Sequence, residues 1–296
     1  MVYSEELKAH LAEGSSTVAR AWAITRRDGL VLGFTDHDCA LEFEGIRFAP
    51  ESGMTAKALS QSTGLAVDNT ESFGALSSEA ISEADILAGR YDGAEVRAWI
   101  VNWSDVGQRA LRFRGHFGEI TRGAGAFTAE LRGLTEALSA ENGRIYHPRC
   151  SAVLGDASCR FDPLTAGYFY EGPAAAVEDG VRFVFDDIAA FDARWFVKGR
   201  LRILSGEASG LVGVIKNDRI GKAGTREIEL WQRIGAEVSP GDLVRLEAGC
   251  DRRAETCRLK FSNFLNFRGF PHIPGEDWLM SYPVASGSND GGSLFR

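Results

Sequence analysis

Four of the five cysteines in this chain fall into two close pairs, Cys150 with Cys159 and Cys250 with Cys257, and 90 residues separate the pairs. A fold that gathers all four must bring the end of a long excursion back to its beginning. Thiolates are soft ligands, so the arrangement has three chemical readings: two disulfides, a zinc ion, or an iron–sulfur cluster. Zinc knuckles place paired ligands about two to four residues apart, because a tight turn aims both sulfurs at one small ion. Here eight residues lie inside the first pair and six inside the second. A larger cluster accepts wider loops, although no single spacing is diagnostic of one. On spacing alone, zinc and iron–sulfur both stay open.

The compartment weighs against the disulfides. No stretch of about 18 apolar residues occurs, and the opening MVYSEELKAHLAEG lacks the basic-then-apolar layout of a secretory signal. Synthesis in the cytoplasm without a membrane anchor is expected, and that reducing compartment disfavours persistent disulfides. The 296 residues are 44% hydrophobic and 25% charged, enough for cores that need no staples. Cys39, the odd cysteine, is expected to be a small buried side chain.

Periodicity predicts a mainly β chain of the α+β class: two β-rich domains with a few short helices, cross-linked by the four-cysteine site. Ser4 caps a helix over about Glu5 to Glu13, with Gly14 stopping it. Alternating, β-branched runs follow, punctuated by Asp28-Gly29 and Glu44-Gly45, which are hairpin signals. A further strand is expected within Thr55 to Asn69, a capped helix from Ser82 to Gly89, and a helical turn from Thr135 to Ala140. Three strand-like runs, AEVRAWIVNW, RALRFRGHFGEIT and GAFTAELRG, lead toward the first cysteine pair. Residues 1–160 are read as one domain and the Pro-, Gly- and Ala-rich 161–180 as a linker. Residues 181–275 form a second domain whose final strand delivers Cys250, and 276–296 a flexible Gly/Ser-rich tail. After Cys257, the apolar residues Leu259, Phe261, Phe264, Leu265 and Phe267 predict a short helix packed on that domain.

Other candidate chemistry is thin. Thr35-Asp36-His37-Asp38 sets two carboxylates about an imidazole, but such groups commonly close a turn onto backbone, and that is the reading adopted. The chain has no GxxxxGK[ST], GxSxG or HExxH. His37, His116, His147 and His272 stand in no nucleophile signature; His147, in HPRC, is expected to pack or hydrogen-bond beside the metal. The net charge is −8 without a Lys/Arg block, which argues against a phosphate-gripping DNA binder but not against a surface past which DNA slides. RLKFSNFLNFRGF could stack bases, yet burial around the metal site fits the acidic balance better.

At these residues the chain resembles a known family. The paired cysteines, the run CRLKFSNFLNFRGFP, the Thr35-Asp36-His37-Asp38 opening and the later Gly89-Arg-Tyr-Asp-Gly are similar to hub proteins of siphophage-like tails. The likeness is strongest to the hubs of gene transfer agents of α-proteobacteria, over nearly the whole chain. It is more distant to the tail-tip protein of lambda-like phages. The resemblance implies a structural protein and not an enzyme, in the baseplate of a phage-like tail. It implies a homotrimeric ring between the distal tail protein and the central tail-fibre or receptor-binding protein, with DNA passing through without sequence-specific binding. It further implies an iron–sulfur cluster, of the 4Fe–4S type, on Cys150, Cys159, Cys250 and Cys257, with zinc as the alternative cofactor. A zinc-stabilised adaptor, or a redox or cell-wall-degrading enzyme of the tail tip, are the rival functions. An acidic lumen would keep the DNA backbone from binding.

Overall fold

The structure is a computed structural model that describes residues 3–14, 16–50, 69–72, 81–123, 126–133, 143, 145–186, 188, 190–221 and 224–273. The chain divides into two compact units, Met1–Asn142 and Gly143–Arg296. The expected helical turn at Thr135 to Ala140, most of the expected strand at Thr55 to Asn69, and the tail 276–296 lie outside the described residues.

In the first unit, α1 (Glu5–Ala12) begins where the Ser4 hydroxyl accepts the Leu7 N–H at 3.2 Å, and Leu7 is its buried residue. Eight strands follow: β1 (Val18–Thr25), β2 (Val31–Thr35), β3 (Leu41–Phe43), β4 (Ile46–Pro50), β5 (Asn69–Ser72), β6 (Glu95–Asn102), β7 (Arg109–Gly123) and β8 (Ala126–Gly133). They form one sheet in the order β3-β4-β2-β1-β6-β7-β8-β5. The β3–β4 hairpin turns through Glu44 and Gly45, with φ of 53° and 72°, the conformation that a two-residue type I′ loop requires. β2 and β4 run parallel, and all the other pairs of this sheet are antiparallel. The short helix α2 (Glu83–Leu87) is capped by Ser82, as its sequence predicts.

Strict alternation fails on β1 because this strand is covered on both faces. Trp22 and Ile24 join one core with Phe34, Val96, Phe113 and Leu131. Ala19, Ala21 and Ala23 join another with Phe43, Phe48 and Trp99. The neighbours Ala98 and Trp99 face different cores by the ordinary alternation of a strand. Opposite them β7 carries a bulge, with Phe113 paired to Ala98 and Leu111 to Trp99.

The second unit holds β9 (Phe169–Pro173), β10 (Ala176–Glu178), β11 (Arg182–Phe185), β12 (Arg200–Ile203), β13 (Val212–Ile220), β14 (Arg226–Leu230) and β15 (Leu243–Glu247), then α3 (Ala254–Leu259). The sheet order is β10-β11-β14-β13-β12-β15-β9. Its two edge strands are consecutive in the chain, so the sheet must curl until its edges meet. Backbone bonds show the corner: Ala174 N–H donates to Asp242 O at 3.0 Å, while Ala175 N–H donates to Val184 O at 2.8 Å. Inside lie Phe183, Phe185, Phe196, Leu201, Ile203, Ile215, Ile228, Leu230, Val244 and Leu246. The stretch 161–180, read from sequence as a linker, thus supplies two strands of this sheet.

One ion pair is buried in the second unit. Arg226 and Asp218 are each 1% exposed. The guanidinium also donates to Phe191 O at 2.7 Å and Asp192 O at 2.6 Å, and Asp218 accepts the Phe196 N–H at 2.9 Å. With its remaining hydrogen-bonding sites satisfied, the pair offsets its desolvation. It also pins the 191–196 loop, whose Trp195 O accepts the Gly249 N–H at 3.0 Å, next to Cys250.

Candidate metal centre

The strand pair β9–β15 brings the two cysteine segments together. The pair is antiparallel with Phe169 opposite Glu247, and Ala248 N–H extends it by donating to Tyr168 O at 2.7 Å. The start of one strand therefore lies beside the end of the other. The chain enters this sheet from Cys150–Cys159 and leaves it toward Cys250–Cys257 at the same end. All four cysteines lie in the second unit, so a metal held by them would join two loops of one unit. The sequence reading had them cross-linking two domains.

Polar contacts to backbone shape these loops. The Asp156 carboxylate accepts the N–H of Val153 at 2.8 Å, Ser158 at 2.9 Å and Cys159 at 2.6 Å. Those bonds hold its pKa below the usual range. The FRGFP segment lies along HPRC. Phe270 N–H donates to His147 O at 2.9 Å, Ser151 Oγ to Arg268 O at 3.3 Å, and Arg268 N–H to the Cys150 sulfur at 3.3 Å. A Cβ on Gly269 would stand 2.6 Å from the Arg149 carbonyl carbon, and one on Gly249 would stand 1.7 Å from Val197 O. Both glycines are there because backbone meets backbone. Arg160, Arg252 and Ser262 adopt φ of 58°, 64° and 48° beside the cysteines. Left-handed non-glycine residues are strained, and such strain clusters at functional sites.

Two of the four sulfurs accept an N–H: besides Cys150, Cys159 takes the Asn263 side-chain amide at 3.5 Å. Burial pushes the Cys250 thiol up, and Asp251, Cys150 and Cys159 add to the rise. Cys257 is buried and pushed up to about 11, by burial first and then by Cys250, Cys150 and Cys159. The four thiols therefore share one electrostatic field. Among the described residues, no three His, Cys, Asp or Glu side chains form a ready-made cage for one metal ion. All five cysteines are free thiols. Four soft donors, two of them with an N–H on the sulfur, fit the chemistry of an iron–sulfur cluster, whose properties depend on such hydrogen bonds.

The remaining sequence candidates resolve as follows. The Thr35–Asp38 stretch closes a turn: Thr35 Oγ1 donates to Arg20 O at 2.8 Å, and Asp36 accepts the Arg20 N–H at 2.6 Å. His37 Nδ1 accepts the Cys39 N–H at 3.0 Å. Cys39 is exposed and not buried, because this turn holds it outside both cores. His147 Nδ1 accepts the Arg149 N–H at 3.0 Å, which shapes the approach to Cys150. The helix expected after Cys257 is instead α3, with Cys257 inside it, and a separate 3₁₀ turn at Phe264–Asn266. Leu259 is 72% and Leu265 98% exposed, and only Phe261 of the five apolar residues is buried. Sequence reasoning passed over Asn263 and Asn266. Asn266 donates to Asn263 Oδ1 at 2.7 Å, and Asn263 to Cys159 O at 2.7 Å. Two asparagines at this spacing within an apolar run were the available signal.

Residues 4–162 match the family described as baseplate hub protein, N-terminal attachment domain. Residues 194–277 match the family described as phage conserved hypothetical protein BR0599. Each match carries one cysteine pair. No curated protein matches the chain. A chain from a solved structure titled "Virion of native gene transfer agent (GTA) particle" is 67% identical, with a TM-score of 0.89 over 98% of this chain and 100% of that one.

Proposed function

Since the chain belongs to the baseplate hub proteins, we propose that it is a structural hub in the tail baseplate of a gene-transfer-agent particle. The observation that carries this is the full-length, 67% identical counterpart in such a virion. In this reading the chain forms a homotrimeric ring between the distal tail protein and the central tail-fibre or receptor-binding protein, and DNA leaves through it. No helix among the described residues is long and apolar enough to cross a membrane.

Cys150, Cys159, Cys250 and Cys257 would hold a 4Fe–4S cluster, with zinc as the alternative. When bound, the group supplies a tie among four thiolates, and its binding energy becomes folding energy for the two loops. The support is the shared field of the thiols and the N–H groups on their sulfurs. The loops bury little apolar surface of their own: of the described residues in 145–168 and 249–273, only Ala152, Cys257 and Phe261 are buried hydrophobics.

Charge is divided unevenly between the units. The first carries 13 basic and 21 acidic residues, and the second 20 of each. An acidic wall that keeps phosphates from sticking would therefore be lined by the first unit. A basic lumen in the assembled ring would defeat that part of the proposal. For the cofactor, the measurement is the absorption spectrum of anaerobically purified protein, with iron, sulfide and zinc counted. A broad brown band lost in a Cys250→Ser/Cys257→Ser variant is expected. One zinc per colourless chain would replace the cluster by the alternative, and metal-free protein would remove both. Cross-linking mass spectrometry on intact particles tests the partners. Cross-links to neither tail protein would overturn the adaptor role.

A further inference from the structure

A half-buried cation stands beside the second cysteine pair. Lys260 caps the C-terminus of α3, and the Tyr168 hydroxyl fixes its backbone by donating to Lys260 O at 2.7 Å. Its Nζ donates to Trp195 O at 2.6 Å and to Gly249 O at 3.0 Å, and lies 4.1 Å from the Trp195 ring centroid. Gly249 O belongs to the peptide bond whose nitrogen is that of Cys250. The ammonium therefore sits one peptide unit from a thiol. Among the described residues its hydrogen-bond acceptors are carbonyls, not carboxylates.

A charge partly out of water, hydrogen-bonded to carbonyls and set over a ring face, is incompletely compensated. Burial accordingly lowers the Lys260 pKa to about 8, and the first of the groups that favour its charge is Cys250. Metal binding strips protons from thiols and leaves thiolates. Asp218, Asp251 and Asp192 follow Cys250 in favouring that charge, and loading would turn Cys250, the first of these neighbours, into a standing anion.

We propose that Lys260 is the counter-cation of the four-cysteine group, a positioning residue whose charge favours the thiolate state and so favours metal loading. The proposal rests on the reading of the four cysteines as a metal site. A merely structural role for Lys260 would be to tether Trp195 to Gly249 through the two carbonyl bonds. The two roles separate in variants: Lys260→Arg keeps the charge, whereas Lys260→Gln keeps a donor and loses the charge.

The test is cobalt(II) titration of the full chain against a chromophoric chelator, read by the thiolate-to-cobalt charge-transfer band, with thermal unfolding followed in parallel. Lys260→Gln is expected to bind cobalt about tenfold more weakly, the factor given by about 1.4 kcal/mol of lost charge interaction, and Lys260→Arg within about threefold of wild type. Equal binding by Lys260→Gln and wild type would overturn the counter-cation role, as would equal weakening in both variants with a matching loss of stability. A wild type without the band would overturn the role of Lys260 in loading an ion, while the iron and sulfide counts decide the metal-site reading itself. A second measurement needs no variant: competitive acylation of wild-type lysines, read by mass spectrometry. On cobalt loading, Lys260 is expected to lose reactivity several-fold relative to Lys198 and Lys216; unchanged relative reactivity would overturn the proposal.

Discussion

The eight-stranded sheet of the first unit and the cysteine loops of the second are stabilised in opposite ways. The sheet is a ladder of backbone bonds between two apolar cores, and a fault at one residue is spread over many neighbours. The loops have short helical turns, few buried apolar side chains, and a mesh of single bonds from Asp156, Asn263, Ser151 and Arg268. A sheet of this kind is over-determined, whereas the loops rest on that mesh and on one aromatic cluster of Phe161, Tyr168 and Phe261. Loops of that construction gain the most from a ligand that ties them.

The largest expected effect tests whether the two regions are independent. Phe48 is fully buried, stacked on Phe43 at 4.2 Å between ring centroids and edge-on to Trp99 at 5.7 Å. Phe48→Ala should cost about 3–5 kcal/mol. In denaturant melts it should lower the unfolding midpoint of the first unit and leave that of the second in place. A joint shift would break the comparison. Next comes Gly249→Ala, at about 3 kcal/mol, since no rotamer can move a Cβ away from Val197 O. Hydrogen exchange should rise across 147–168 and 250–270 while the seven-stranded sheet keeps its protection.

Asn263→Ala removes two contacts to Cys159 and should cost about 1–3 kcal/mol, read as faster exchange confined to 156–163. The smallest effect concerns acid. The Arg26 guanidinium beside Asp28 holds this carboxyl below its ordinary value of 3.8. Because the folded-state value is depressed, the contribution is complete above pH 3.8 and is lost as pH falls through the folded value. An Asp28→Asn variant should therefore show a shallower acid loss for the first unit, and no change for the second, in thermal melts taken from pH 5 downward.

What was legible in the sequence follows the same division. Alternation and turn chemistry revealed the strands and both capped helices, because the neighbours that decide them are near in sequence: Ser4 with Leu7, Glu44 with Gly45. β9 and β10 escaped because FYEGP and AVE carry no alternation of their own. They are strands through what they pair with, β15 and β11. Leu259 and Leu265 were misplaced for the same reason, since helical spacing says which residues share a face but not whether anything covers it. The cysteine pairs were plain in the sequence, yet their shared unit was not. It depends on the Phe169–Glu247 register, and on glycines whose partners are more than 50 residues away.

That register also decides how the second unit would respond to tension. Strands β9 and β15 are neighbours, and the chain leaves both from the same end. A pull between the incoming and outgoing chain would open their ladder like a zipper, one hydrogen bond after another, the geometry in which a sheet resists force least. Any link between the two cysteine loops sits upstream of the first rung. It would bear the load itself and leave the sheet behind it slack.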